Sequence, residues 1–179
     1  MMRRVFRRHI RKSLAQDVPP ILQEANFAFS KGEYGRAAEL FEQIARAADG
    51  RGGPRAPLFH LQAGRARILA GQAALGIPSL KRGLELLAQR GQFPRLRRFG
   101  TRTVNELIEH GLKSEAGEIV AWLESVLPKA TSIEATAKRP ALPTHCPSCG
   151  APLRPDEVEW LDEVTAECGY CGSLVKDEN

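Results

Sequence analysis

The sequence predicts a mostly α-helical protein, a stack of helical hairpins followed by a small β module at its C-terminal end. Three observations predict it. A pattern around turn glycines recurs along an Ala/Leu/Gly-rich stretch, prolines stand where helices would start or stop, and all four cysteines fall in one late window as two pairs. With 179 residues the chain has room for one modest helical domain and an appendage, and a large catalytic core is not expected. At 42% apolar residues it can fill a hydrophobic interior. No run approaches the roughly 18 apolar residues of a membrane span, so a soluble protein is expected.

The elements follow in order. Residues 1–16 read as a basic amphipathic helix: Met2, Val5, Phe6, His9 and Ile10 fall on one side, and Arg3, Arg4, Arg7, Arg8, Arg11 and Lys12 largely on the other. Such a helix suits an anionic membrane surface, a groove on a partner or nucleic acid through residues 1–13; the alternative is that it packs on the first hairpin and leaves its arginines solvated. Residues 17–128 read as the helical domain. Pro19, Pro20, Pro57 and Pro94 suit the first turns of helices, and Pro128 stops the last one. Residues 129–144 read as a linker and 145–179 as the cysteine module.

Inside the helical stretch a small or β-branched residue is followed seven positions on by a glycine, then at +2, +5, +9 and +12 by mostly small or apolar residues. The copies read Ala25, Gly32, Tyr34, Ala37, Phe41, Ile44; then Gly64, Gly71, Ala73, Gly76, Leu80, Gly83; then Val104, Gly111, Lys113, Ala116, Val120, Leu123. Their turn glycines are 39 and 40 residues apart. A glycine between two amphipathic helices makes a helical hairpin, and small residues at the crossing let the two backbones approach. Hairpins repeated in this way stack and share a core. Residues 20–127 thus resemble the tetratricopeptide repeat family, most clearly in the run KGEYGRAAELF from Lys31 to Phe41. Lys113 stands where the first copy has an aromatic, Gly76 and Gly83 stand where it has Ala37 and Ile44, and the period exceeds the 34 residues of that family. The resemblance implies a superhelix whose concave face binds peptides or other proteins.

At the C-terminal end Cys146-Pro147-Ser148-Cys149-Gly150 and Cys168-Gly169-Tyr170-Cys171-Gly172 are separated by 18 residues. Two cysteines three apart can face one metal from a tight turn, the glycine after each pair permits the bend, and two such turns complete a tetrahedral shell. Zinc is the expected cofactor, with Cys146, Cys149, Cys168 and Cys171 as its ligands; an iron centre, a redox pair and disulfides are the competing readings. Four thiolates leave no open position for water or substrate, so the metal holds the fold and activates no nucleophile. Val158 and Trp160 alternate with Glu159, and Val164 and Ala166 with Thr165, as two short strands turning near Asp162 and Glu163 would. The module resembles a zinc ribbon. His145 beside Cys146 is read as a bystander.

Charge is uneven: residues 1–12, 13–139 and 140–179 carry net +6, +5 and −6. The acidic ribbon repels a phosphate backbone, which favours a protein-binding or stabilising role for it. From Arg46 to Arg102 there are twelve cations and only Asp49 and Glu85 as anions. Arg65, Arg67, Arg95, Arg97, Arg98 and Arg102 are the candidate partner-binding residues, suited to an acidic peptide or phosphate; otherwise they form a solvated helix face. No catalytic constellation emerges, and neither enzymatic activity nor a small-molecule substrate is expected. The expected function is a non-catalytic interaction scaffold or adaptor with a structural zinc ribbon. Clustered cysteines without a secretory signal make the cytoplasm the expected location, with an organelle transit peptide in the Arg-rich, acid-free start as the alternative. The alternative is a nucleic-acid-binding or ribosome-associated factor using the basic N-terminus and the mid-chain arginines.

Overall fold

The computed structural model describes residues 18–128, 141–155, 158–160 and 165–176. The expected N-terminal helix, most of the linker and the turn at Asp162 and Glu163 lie outside them. The chain divides into two compact units, Glu24–Thr136 and Met1–Gln23 with Ala137–Asn179. Among the described residues, no helix is long and apolar enough to cross a membrane.

Among the described residues, six helices form three hairpins: α1 (Pro20–Ser30) with α2 (Tyr34–Asp49), α3 (Ala56–Leu69) with α4 (Ala73–Gln89), and α5 (Phe93–Glu109) with α6 (Lys113–Val126). The expected turn glycines Gly32, Gly71 and Gly111 have φ of 78°, 73° and 77°, the left-handed region where a Cβ is costly. Each turn is closed the same way. The glycine N–H reaches back three residues and the next N–H five, as in Gly71 to Ile68 and Gln72 to Arg67, so the last helical carbonyls are satisfied. The connections between hairpins repeat this geometry at Gly52 and Gly91, with Gly53 to Ala48 and Gln92 to Leu87 as the longer bonds. Positive-φ glycines therefore stand at 32, 52, 71, 91 and 111, one at each helix–helix junction.

The first hairpin is filled by rings. Phe41 is fully buried, and Phe29 meets it edge-on with centroids 6.4 Å apart while meeting Tyr34 at 5.3 Å. The second hairpin closes backbone against backbone. A Cβ on Gly64 would sit 2.8 Å from the Gly76 carbonyl oxygen, and one on Gly83 would sit 2.8 Å from the Pro57 oxygen and 2.7 Å from Leu61 Cγ. In the third hairpin the glycine is on the first helix, where Gly100 receives Leu123. Helix α3 packs extensively on both α2 and α4, which explains why its buried residues run all the way round it. The third copy departs from the expected register. Val120 is 38% exposed, and the buried stripe of α6 runs through Ala116, Ile119 and Leu123.

Ion pairs tie the stack together layer by layer. Among the first helices of the hairpins, Arg65 of α3 places its guanidinium 5.3 Å from the Phe29 ring of α1 and its Nε 2.9 Å from Glu106 of α5. Among the second helices, Asp49 of α2 accepts from Arg82 of α4 at 2.9 Å, and Glu118 of α6 accepts from Lys81 of α4 at 2.8 Å. Inside, Arg67 binds both oxygens of Glu42 at 2.7 and 2.9 Å and also reaches Gln72, so a buried cation is neutralised where it enters the core. The Arg67 bond holds the Glu42 carboxyl below its ordinary range, and Arg82 does the same for Asp49. Burial lowers His60, which shares Asp49 with Arg82.

Among the described residues, the C-terminal module has three strands, β1 (Glu159–Trp160), β2 (Thr165–Glu167) and β3 (Leu174–Lys176), antiparallel in the order β1-β2-β3. The first two match the expected hairpin, with Trp160 opposite Ala166. The third, Leu174–Lys176, is too short to show an alternation in the sequence. Val158, Ala166 and Val175 supply its small apolar interior, and Thr165 of the central strand is buried too.

Candidate metal centre

The two cysteine turns are built alike. Each first cysteine sends its N–H to the residue five positions on, Cys146 to Ala151 at 2.8 Å and Cys168 to Ser173 at 2.9 Å. Each following glycine returns an N–H to that cysteine's carbonyl, Gly150 to Cys146 at 2.9 Å and Gly172 to Cys168 at 2.8 Å. Gly150 and Gly172 take φ of 71° and 76°, which is why a glycine follows each pair. The first turn is pinned by a bridge between His145 and Pro152, and the second is the tip of the β2–β3 hairpin.

These turns bring all four sulfurs to one point. The Sγ atoms of Cys146, Cys149, Cys168 and Cys171 lie within 4.8 Å of one another, and all four residues are buried. None is in a disulfide. Cys146 and Cys171 are 3.7 Å apart and Cys149 and Cys168 3.8 Å, while a tetrahedron with metal–sulfur bonds of about 2.3 Å has edges of about 3.8 Å. The spacing therefore fits one metal ion held by four thiolates. Thiols this close perturb one another. Hydrogen bonds from Cys149 and Cys168 draw Cys146 down to about 6, while Cys149 is pushed up, first by Cys146. Ser173 Oγ lies 3.2 Å from Cys171 Sγ, a contact that sequence reasoning missed although Ser173 sits two residues past the ligand.

His145 is exposed, bonds Thr144 Oγ1 at 3.1 Å and stands outside the sulfur cluster. Tyr170 is buried beside the ligands, whereas Trp160 is half-buried with its indole N–H on the Pro155 carbonyl at 2.8 Å.

The six candidate arginines do not form one group. Arg65 and Arg102 converge on Glu106, Arg67 is enclosed with Glu42, and Arg95, Arg97 and Arg98 lie on the first turns of α5. Arg97 donates to the Pro128 carbonyl at 3.3 Å.

Comparison with family models, curated proteins and solved structures gives no match for this chain.

Proposed function

We propose that the protein is a non-catalytic adaptor, in which a tetratricopeptide-like array presents a surface to a protein partner and a zinc ribbon supplies a metal-stabilised module. The observation that carries this reading is the regular stack of three hairpins with charged ties in both layers, because such arrays expose extended surfaces out of proportion to their size. A donor set of four thiolates suits zinc or iron and not the hard cations that prefer oxygen, and it closes the shell as a structural zinc site does. When bound, zinc would offset part of the thiolate charge and cross-link the two turns. Cys146, Cys149, Cys168 and Cys171 would hold it, and Gly150 and Gly172 let their turns close round it.

Two measurements test the halves of the proposal. Elemental analysis should find one zinc per chain, and Cys149→Ser or Cys168→Ser should lose it together with the ordered ribbon, since so small an interior does not fold unaided. Iron in its place, or zinc kept by both variants, refutes the assignment. Capture of partners by the immobilised full chain, with and without nuclease, addresses the adaptor role. Protein partners that survive nuclease support it, and partners lost with the nucleic acid overturn it in favour of a nucleic-acid-binding factor.

A further inference from the structure

We propose that the edge of the array where one hairpin is joined to the next, built by Arg51, Arg55, Arg90, Arg95, Arg97 and Arg98, is a docking site for an acidic protein segment. The proposal rests on the adaptor reading and names the part of the array that a partner engages.

Topology brings these residues together. The turns at Gly32, Gly71 and Gly111 lie at one end of the hairpins, so the junctions α2–α3 and α4–α5 and the end of α6 lie at the other. Arg90 joins the two junctions by donating to the carbonyls of Gly53 at 2.9 Å and Pro54 at 3.0 Å. Arg97 joins the first turns of α5 to the end of α6 through Pro128, and Arg51 is held by the Ala47 carbonyl at 2.9 Å. A carbonyl orients a guanidinium without neutralising it. Three of the six are therefore fixed in place with their positive charge kept, the preorganised state that favours binding of a carboxylate.

Two further features point the same way. Of the eleven cations from residue 50 to residue 105, Arg65, Arg67, Lys81, Arg82 and Arg102 pair with acids of the helices, and the other six are the arginines of this edge. The helix ends also oppose the usual preference for acids at an N-terminus. Arg55 caps α3 and Arg95 lies in the first turn of α5, neither helix has an acid in its first turn, and neither cap side chain bonds the backbone. The positive ends of these two helices add to the potential of the edge that an anion would meet.

The flanks decide which anion. Residues 18–49 carry five acids against three cations, and residues 103–128 carry five against one. A long nucleic acid leaving the edge would meet flanks whose sequence carries more acids than cations, whereas a short acidic segment would end before them. Phe93 and Trp122 near this edge are both half-buried, which limits base stacking.

The test uses the full, metal-loaded chain and a fluorescent Glu-rich peptide of about ten residues, which reaches about 35 Å when extended. Arg51→Gln with Arg98→Gln should weaken binding about tenfold or more, while Lys31→Gln with Lys113→Gln, which removes the same charge elsewhere, should change it less than about twofold. Helical circular dichroism should be the same for both. Equal losses in the two variants, no binding at low salt, or displacement of the peptide by an oligonucleotide of equal charge would each overturn the proposal. If the edge variant still captures the chain's protein partner undiminished, the adaptor reading stands and the edge proposal fails. If no protein partner is captured while the two variants differ as expected on the peptide, the edge stands and the adaptor reading fails.

Discussion

The first and second hairpins occupy equivalent places in the repeat and solve the same packing problem in opposite ways. Where the first has Ala37, Phe41 and Ile44, the second has Gly76, Leu80 and Gly83. The first fills the space between its helices with the rings of Phe29 and Phe41; the second removes side chains until carbonyl oxygens stand where a Cβ would go. Glycine within a helix costs backbone entropy. Here the close approach of the two backbones along the seam offsets that cost, because α3 is buried on both flanks and has least room. The difference shows that the repeat keeps the crossing and not the residue at it.

Substitution at Phe41 is the strongest way to break the first solution. Phe41→Ala removes a fully buried ring and should destabilise the helical unit by about 3–4 kcal/mol in denaturant unfolding followed by the helical signal. An effect below about 0.5 kcal/mol would mean that the ring contributes no packing.

Gly83→Ala breaks the second solution by addition. Its new methyl would meet Leu61 Cγ at 2.7 Å and the Pro57 oxygen at 2.8 Å, and because one obstacle is backbone, the helices have to part. The expected cost is about 2–3 kcal/mol, although alanine is the better helix former. A stabilised Gly83→Ala variant would place the two helices farther apart than the seam requires.

This contrast also explains what the sequence made legible. The turns at Gly32, Gly71 and Gly111 and the four sulfur ligands were readable because a left-handed turn and a thiolate shell each demand one residue type at a fixed spacing. Gly52 and Gly91 belong to the same series, and the 20-residue spacing of glycines at 71, 91 and 111 was the available signal. It is hidden when the repeat is read hairpin by hairpin. Gly76 and Gly83 looked like departures from the pattern because a glycine at a crossing is indistinguishable in sequence from a weak copy. Pairing of Arg67 with Glu42 joins residues 25 apart on different hairpins, which local spacing does not encode.

The smallest effect separates glycine at a seam from glycine on a surface. Gly117 lies inside α6 with nothing packed within 4 Å of where its Cβ would be, whereas a Cβ on Gly100 would meet Leu123 Cδ1 at 2.6 Å. Both are helical, so both carry the same entropic penalty relative to alanine. Only Gly100 offsets it with close packing. Gly117→Ala should therefore stabilise the helical unit by about 0.5–1 kcal/mol, a rise in the denaturation midpoint at unchanged slope. Gly100→Ala should lower it, because Leu123 is driven back from the crossing. If Gly117→Ala lowered the midpoint as well, the exposed side of α6 would be a packed surface in solution, and Gly117 would mark a crossing with a further helix of the kind that Gly64 and Gly76 make.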